Sequence, residues 1–162
     1  MLKSTTQHSS GKGRDMPEEL KPHLRFERRE LLVEDVMTRN VITVTDSASI
    51  SEAAVVMKKN NIGCVVVKRK AELLGIVTER DLIRILASDR SETSSVTEVA
   101  SKPLIIIGPK EPVKEAARIL VERGVKRLPV VDGTRLVGIL TSTDLFKLYY
   151  KLSKHLMKST GP

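Results

Sequence analysis

The chain is short of most residues that build reactive or cross-linked sites. It has one cysteine, Cys64, among 162 residues. No disulfide can close within it, and no cysteine-based zinc site can form. Its three histidines, His8, His23 and His155, stand far apart near the two ends, which argues against a histidine metal cluster or a catalytic dyad. Tryptophan is absent, and the aromatic residues are only Phe26, Phe146, Tyr149 and Tyr150, so nucleic-acid binding by base stacking is poorly supported. No apolar run reaches the roughly 20 residues of a membrane span. The polar segment 1–29 lacks the apolar stretch of a secretion signal. The expectation is a cytoplasmic chain with no membrane partner. A glycine-rich phosphate loop ending in lysine and a nucleophile–base pair are also missing, so the chain is expected not to be an enzyme.

What is present fits a globular chain: 40% hydrophobic and 30% charged residues, enough for one domain or two small ones sharing a core. The net charge of +8 sits at the ends. Residues 1–29 carry seven Lys/Arg against four Asp/Glu, and residues 145–162 carry Lys147, Lys151, Lys154 and Lys158 with no acid. Two readings of these basic ends stand. One is an electrostatic contact with nucleic acid or another polyanion. The other is a solvated tail plus lysines that suit a helix C-terminus.

The main signal is an internal repeat. Gly75-Ile76-Val77-Thr78-Glu79-Arg80-Asp81-Leu82 returns as Gly138-Ile139-Leu140-Thr141-Ser142-Thr143-Asp144-Leu145, an offset of 63. The same offset carries Ile50-Ser51-Glu52-Ala53-Ala54 onto Val113-Lys114-Glu115-Ala116-Ala117, without a gap. Repeat one occupies 31–87 and repeat two 96–150, with a polar linker at 88–95 between them. A basic segment, 1–30, precedes them, and a helical extension and tail, 151–162, follows. Each repeat reads as β-α-β-β-α. In repeat one, Val41–Val44 is a short strand, Ser49 with Glu52 forms a capping box for a helix over Ile50–Asn60, and Asn60-Asn61 stops it. Strands follow at Cys64–Lys68 and Leu73–Val77, and Thr78 opens a second helix running to about Ala87. Asp132-Gly133 marks the hairpin of repeat two. A unit of this size is marginal alone. The expected fold is therefore an α+β (α/β) module, two βαββα repeats packed about a pseudo-twofold. Leu145, Leu148, Tyr149, Leu152 and Leu156 form one face of the last helix. That face either packs on its own module or meets a second molecule or an acidic partner.

With these motifs in this order, the chain resembles the CBS domain pair, the regulatory module named after cystathionine β-synthase. Besides the blocks above, Ile62-Gly63-Cys64-Val65-Val66-Val67 and Gly124-Val125-Lys126-Arg127-Leu128-Pro129-Val130-Val131-Asp132 carry the resemblance. It implies a disc-like pair, often dimerised, with two related clefts that commonly hold AMP, ADP, ATP, S-adenosylmethionine or its derivatives. An adenine nucleotide or an S-adenosylmethionine-type compound is thus the expected ligand. The resemblance implies a homodimer, and an unknown protein partner is expected because the sequence shows no effector domain.

Thr78-x-x-Asp81 and Thr141-x-x-Asp144 admit two compatible readings. Threonine and aspartate can cap a helix. The same carboxylate can also accept hydrogen bonds from the vicinal hydroxyls of a ribose, with helix N–H groups reaching a phosphate oxygen. The resemblance implies an adenine slot beside each repeat's first strand: Val41, Ile42, Thr43, Ile62 and Gly63 in repeat one, and Ile105, Ile106, Ile107, Val125 and Pro129 in repeat two. The plain alternative is that these β-branched residues are core. Lys126, Arg127 and Arg80 are candidate phosphate cations, or solvated surface charges. Pro129 stands where repeat one has Val66, which loosens strand pairing and makes the two pockets unequal. One occupied site is expected more readily than two, centred on Asp144 with Pro129, Lys126 and Arg127. Cys64 lies in an apolar strand, where an inert thiol is expected rather than a redox sensor.

Overall fold

The computed structural model describes residues 30–88 and 93–159, the side chains of 155–159 excepted. The basic N-terminal segment up to Arg29 and most of the linker, 89–92, lie outside the described residues, as does the tail at 160–162. In chain order the elements are α1 (Val33–Val36), β1 (Thr43–Thr45), α2 (Ile50–Asn60), β2 (Cys64–Arg69), β3 (Glu72–Thr78) and α3 (Glu79–Leu86). A 3-10 turn at Val96–Glu98 leads to α4 (Val113–Glu122), β4 (Arg127–Asp132), β5 (Arg135–Thr141) and α5 (Ser142–Ser159).

Local chemistry sets the element ends. The Ser49 N–H donates to the Glu52 carboxylate at 2.7 Å, and the Glu52 N–H returns to Ser49 Oγ at 3.1 Å. This box starts α2, whose Ile50, Ala53 and Met57 face inward. Asn61 ends the helix in the left-handed region, at φ 50°, which asparagine tolerates better than most residues. Strand β1 runs parallel to β2, with Thr43 opposite Val66, and β2 runs antiparallel to β3. Strands β4 and β5 form the equivalent antiparallel hairpin. The ladder slips after Val67 in repeat one and after Val130 in repeat two, the same place in both.

The first strand of repeat two departs from expectation. Ile105 to Ile107 form no ladder, and only Ile107 bridges to Val130. Proline is the cause. In repeat one the Val66 N–H donates to the Ile42 carbonyl at 3.4 Å. Pro129 occupies the equivalent position and has no N–H to give. What remains is the bond from the Ile107 N–H to the Pro129 carbonyl at 3.1 Å, and from the Val131 N–H to the Ile107 carbonyl at 2.9 Å.

The repeats are interlocked by exchanged arms. Thr38, in the arm before β1, pairs with Ile139 on β5 through two bonds of 2.9 Å. Reciprocally, Ser101, in the arm of repeat two, donates its N–H to the Ile76 carbonyl on β3 at 2.9 Å. Val33 is fully buried in one core with Met37, Leu120, Leu128, Val130 and Leu140. Val96, its counterpart at offset 63, is fully buried in the other with Val44, Met57, Val65, Val67 and Val77. Each arm therefore completes the other repeat's core, and the packing units in space straddle the repeat frame of the sequence.

The exchange explains the glycine that opens each repeated Gly-Ile-(Val/Leu)-Thr block. A Cβ on Gly75 would lie 2.9 Å from the Ser101 carbonyl oxygen and 3.0 Å from the Ala100 side chain. A Cβ on Gly138 would collide with Met37 and approach the Thr38 carbonyl. Backbone cannot yield as a flexible side chain does. Gly75→Ala is therefore expected to destabilise the protein by about 1–3 kcal/mol, the usual range for overpacking, as read from denaturant unfolding. An unchanged midpoint would show that the arm is not seated against β3.

Candidate functional site

Both Thr-x-x-Asp motifs fold into the same turn from strand to helix. In repeat two the Thr141 N–H and hydroxyl donate to Asp144 Oδ2 at 2.9 and 2.6 Å, and the Asp144 N–H returns to Thr141 Oγ1 at 3.3 Å. In repeat one the Thr78 N–H and hydroxyl donate to Asp81 Oδ2 at 2.8 and 2.7 Å. Capping thus occupies one carboxylate oxygen of each aspartate. The second oxygens differ. Asp81 is only 6% exposed, and its Oδ1 lies 3.4 Å from Arg84. Asp144 is half-buried, and its Oδ1 has no hydrogen-bond partner among the described residues. Lys147, the counterpart of Arg84, forms no such pair there.

Asp144 opens onto a cleft of about 380 Å³, within the roughly 300–1,000 Å³ of small-molecule sites. One wall comes from repeat one and is largely apolar: Val41, Ile42, Ile62, Gly63, Cys64 and Val66, together with the polar Thr38, Asn40 and Asn61. The other comes from repeat two: Ile139, Thr141, Ser142, Thr143 and Asp144, with Lys126, Arg127 and Lys147 as the cations. The exchanged arm brings the walls together. Pairing of Thr38 with Ile139 lays the following residues, Asn40 to Ile42, beside the end of β5 and hence beside Asp144.

The structure therefore groups the candidates across the repeats. Asp144, Thr141, Lys126, Arg127, Ile62, Val41, Ile42 and Gly63 share the cleft. Pro129 and Ile107 are buried around β4, and Val125 and Ile105 pack against that same core. Ile105 and Ile106 border a separate open depression with Arg118, whose guanidinium is already committed to Glu115 and Glu122. Thr43 is half-buried in β1, outside the cleft lining. Thr78, exposed Arg80 and Asp81 lie at the start of α3, around the closed carboxylate. Thr38, Asn40, Ser142, Thr143 and Lys147 join the site, although no motif marks Thr38 or Asn40, and Lys147 reads in the sequence as one more surface lysine.

Arg127 and Glu79 meet over Gly63, at the junction of the two repeats. Arg127 Nη2 lies 3.8 Å from Glu79 Oε2, and the Arg127 side chain is 23% exposed. Burial pushes the Cys64 thiol above its ordinary value, with Arg127 pulling against it and Glu79 adding to it. The thiol is therefore protonated at neutral pH and weakly nucleophilic. The pH profile of Cys64 alkylation is expected to rise late, beyond an unperturbed thiol. Arg127→Gln removes a lowering charge and should shift the profile to still higher pH, whereas Glu79→Gln should shift it down. Equal profiles in all three proteins would show that these charges do not reach the thiol.

Comparison with known proteins agrees with this architecture. The family model described as CBS domain matches the chain twice, over residues 33–88 and 96–151. Protein MJ1225 of Methanocaldococcus jannaschii is 39% identical over 117 residues, which covers 72% of this chain and 42% of that protein. The CBS domain-containing protein YhcV of Bacillus subtilis is 37% identical over 114 residues, covering 70% of this chain and 81% of YhcV. This chain thus spans about two fifths of the length of the first relative and most of the second. Among solved structures, the CBS domain pair of protein MJ0100, in complex with 5′-methylthioadenosine and S-adenosyl-L-methionine, superposes with a TM-score of 0.71 at 30% identity, covering 76% of this chain and 98% of that one. With both repeats matched by the family model and the fold shared with a solved CBS domain pair, the chain belongs to the CBS domain family.

Proposed function

We propose that this CBS domain pair is a regulatory module that binds one adenosine-type ligand in the cleft beside Asp144 and passes its occupancy to a partner chain. One observation carries the reading. A free carboxylate oxygen, an apolar slot and three cations converge on a single cleft built from both repeats. Each part matches a part of the ligand. Asp144 Oδ1 accepts from the ribose hydroxyls, Val41, Ile42 and Ile62 flank the base, and Lys126, Arg127 and Lys147 meet an anion at the 5′ end. The three cations can receive the phosphates of AMP, ADP or ATP, and the ligands in the MJ0100 pair extend the candidates to S-adenosylmethionine and methylthioadenosine.

The site also supplies a route to regulation. Its apolar wall and its aspartate belong to different repeats, so a bound ligand ties the two together and favours the arrangement that fits it. The described residues contain no cluster of His, Cys, Asp and Glu able to hold a metal, and catalysis forms no part of the proposal. A homodimer does. Ile83 and Leu86 on α3 are 64% and 74% exposed, and their counterparts Phe146 and Tyr149 on α5 are each 73% exposed. Two apolar spots related by the pseudo-twofold suit a self-complementary contact with a second molecule.

Calorimetric titration with AMP, ADP, ATP, S-adenosylmethionine and methylthioadenosine tests the ligand. Heat and a raised melting temperature are expected with at least one; silence with all five would sink the reading. Asp144→Asn should weaken binding about 10- to 100-fold, from a charged hydrogen bond of about 1.5–3 kcal/mol. Asp81→Asn should change it little. For the dimer, sedimentation velocity should show the wild type as a dimer and Ile83→Asp/Phe146→Asp as a folded monomer. A wild type that sediments as a monomer refutes the contact.

A further inference from the structure

The ion pair at the junction of the repeats is one-sided. Under the offset of 63, Glu79 corresponds to Ser142, Arg127 to Cys64, and Gly63 to Lys126, so nothing equivalent can form across the pseudo-twofold. Arg127 starts β4, yet its guanidinium lies over Gly63 of repeat one. A Cβ on Gly63 would collide with Arg127 Nη2 and lie 2.8 Å from Glu79 Oε2. Bare glycine thus makes room for both charges at the edge of the cleft that Gly63 and Arg127 line. Glu79 is 67% exposed and sits 3.8 Å from the guanidinium. At that separation the pair is held by charge rather than by a short hydrogen bond.

We infer that Glu79 is a specificity-determining residue of the cleft: it competes with the ligand's phosphate for the Arg127 guanidinium and sets the module's selectivity by charge. The inference rests on the nucleoside reading above and deepens it. Among the three cations of the cleft, Arg127 alone offers the planar fork that binds phosphate in two places. To use that fork, a phosphate must draw Arg127 from Glu79 and bring its own negative charge near the carboxylate. A ligand whose 5′ end is uncharged makes no such demand, and one whose 5′ end carries a cation benefits from the acid. The carboxylate therefore disfavours nucleotides relative to 5′-methylthioadenosine.

The experiment compares wild type with Glu79→Gln, titrating each with AMP and with 5′-methylthioadenosine at low and high salt. Glu79→Gln is expected to tighten AMP roughly two- to fivefold, the worth of an exposed pair, and to leave methylthioadenosine unchanged. The AMP gain should shrink at high salt. Gly63→Ala, which crowds the guanidinium, should weaken AMP more than methylthioadenosine. If wild type binds none of the adenosine compounds, the nucleoside reading falls and this inference with it. If wild type binds AMP but Glu79→Gln leaves its affinity unchanged, or tightens both ligands equally, only the role of Glu79 falls.

Discussion

Thr38 and Ser101 each leave their own repeat and hydrogen-bond to the last strand of the other, and the rest of the molecule follows from that reciprocal pairing. It seats Val33 and Val96 at the centre of cores to which they do not belong by sequence frame. It requires bare glycine at 75 and 138, where the arms cross the strands. It also assembles the cleft, because the arm that reaches β5 continues directly into the apolar wall facing Asp144. Stability and site share one device, so a change that loosens an arm reaches both.

Within that frame the two halves keep the same strand-to-helix turn but differ in the side chains around it. Both aspartates cap their helices with one oxygen. The second oxygen of Asp81 is taken by Arg84 and that of Asp144 is open, although a cation follows three residues later in both cases. Pro129 adds to the inequality by depriving repeat two of the strand pairing that Val66 supports in repeat one. On a duplicated scaffold, a few side chains make the Asp144 side the place where charge and apolar surface converge.

Much of this was legible in the residues. The capping box at Ser49 and Glu52, the left-handed stop at Asn61 and the Asp132-Gly133 hairpin act over three or four positions, and local chemistry decides them. The second Thr-x-x-Asp and the basic pair Lys126-Arg127, both marked in the sequence, line one cleft in the structure. The composition of the cleft was not legible, because its two walls are joined by a contact between Thr38 and Ile139, residues a hundred positions apart that carry no pattern. A slot drawn within each repeat, as the resemblance implies, cannot include that contact. The pairing of Arg127 with Glu79 was hidden in the same way, since it depends on what lies across a glycine in space.

The exchanged arms also bear on how such a chain could arise. A solitary repeat has an arm with no strand to cover and a strand with no arm to cover it. It could close only by embracing another solitary repeat, a bimolecular event that fails on dilution. Fusing two repeats head to tail makes that embrace intramolecular, at an effective concentration in the millimolar range for a short tether. The unit that heredity can copy, delete or append without leaving an open clasp is therefore the pair.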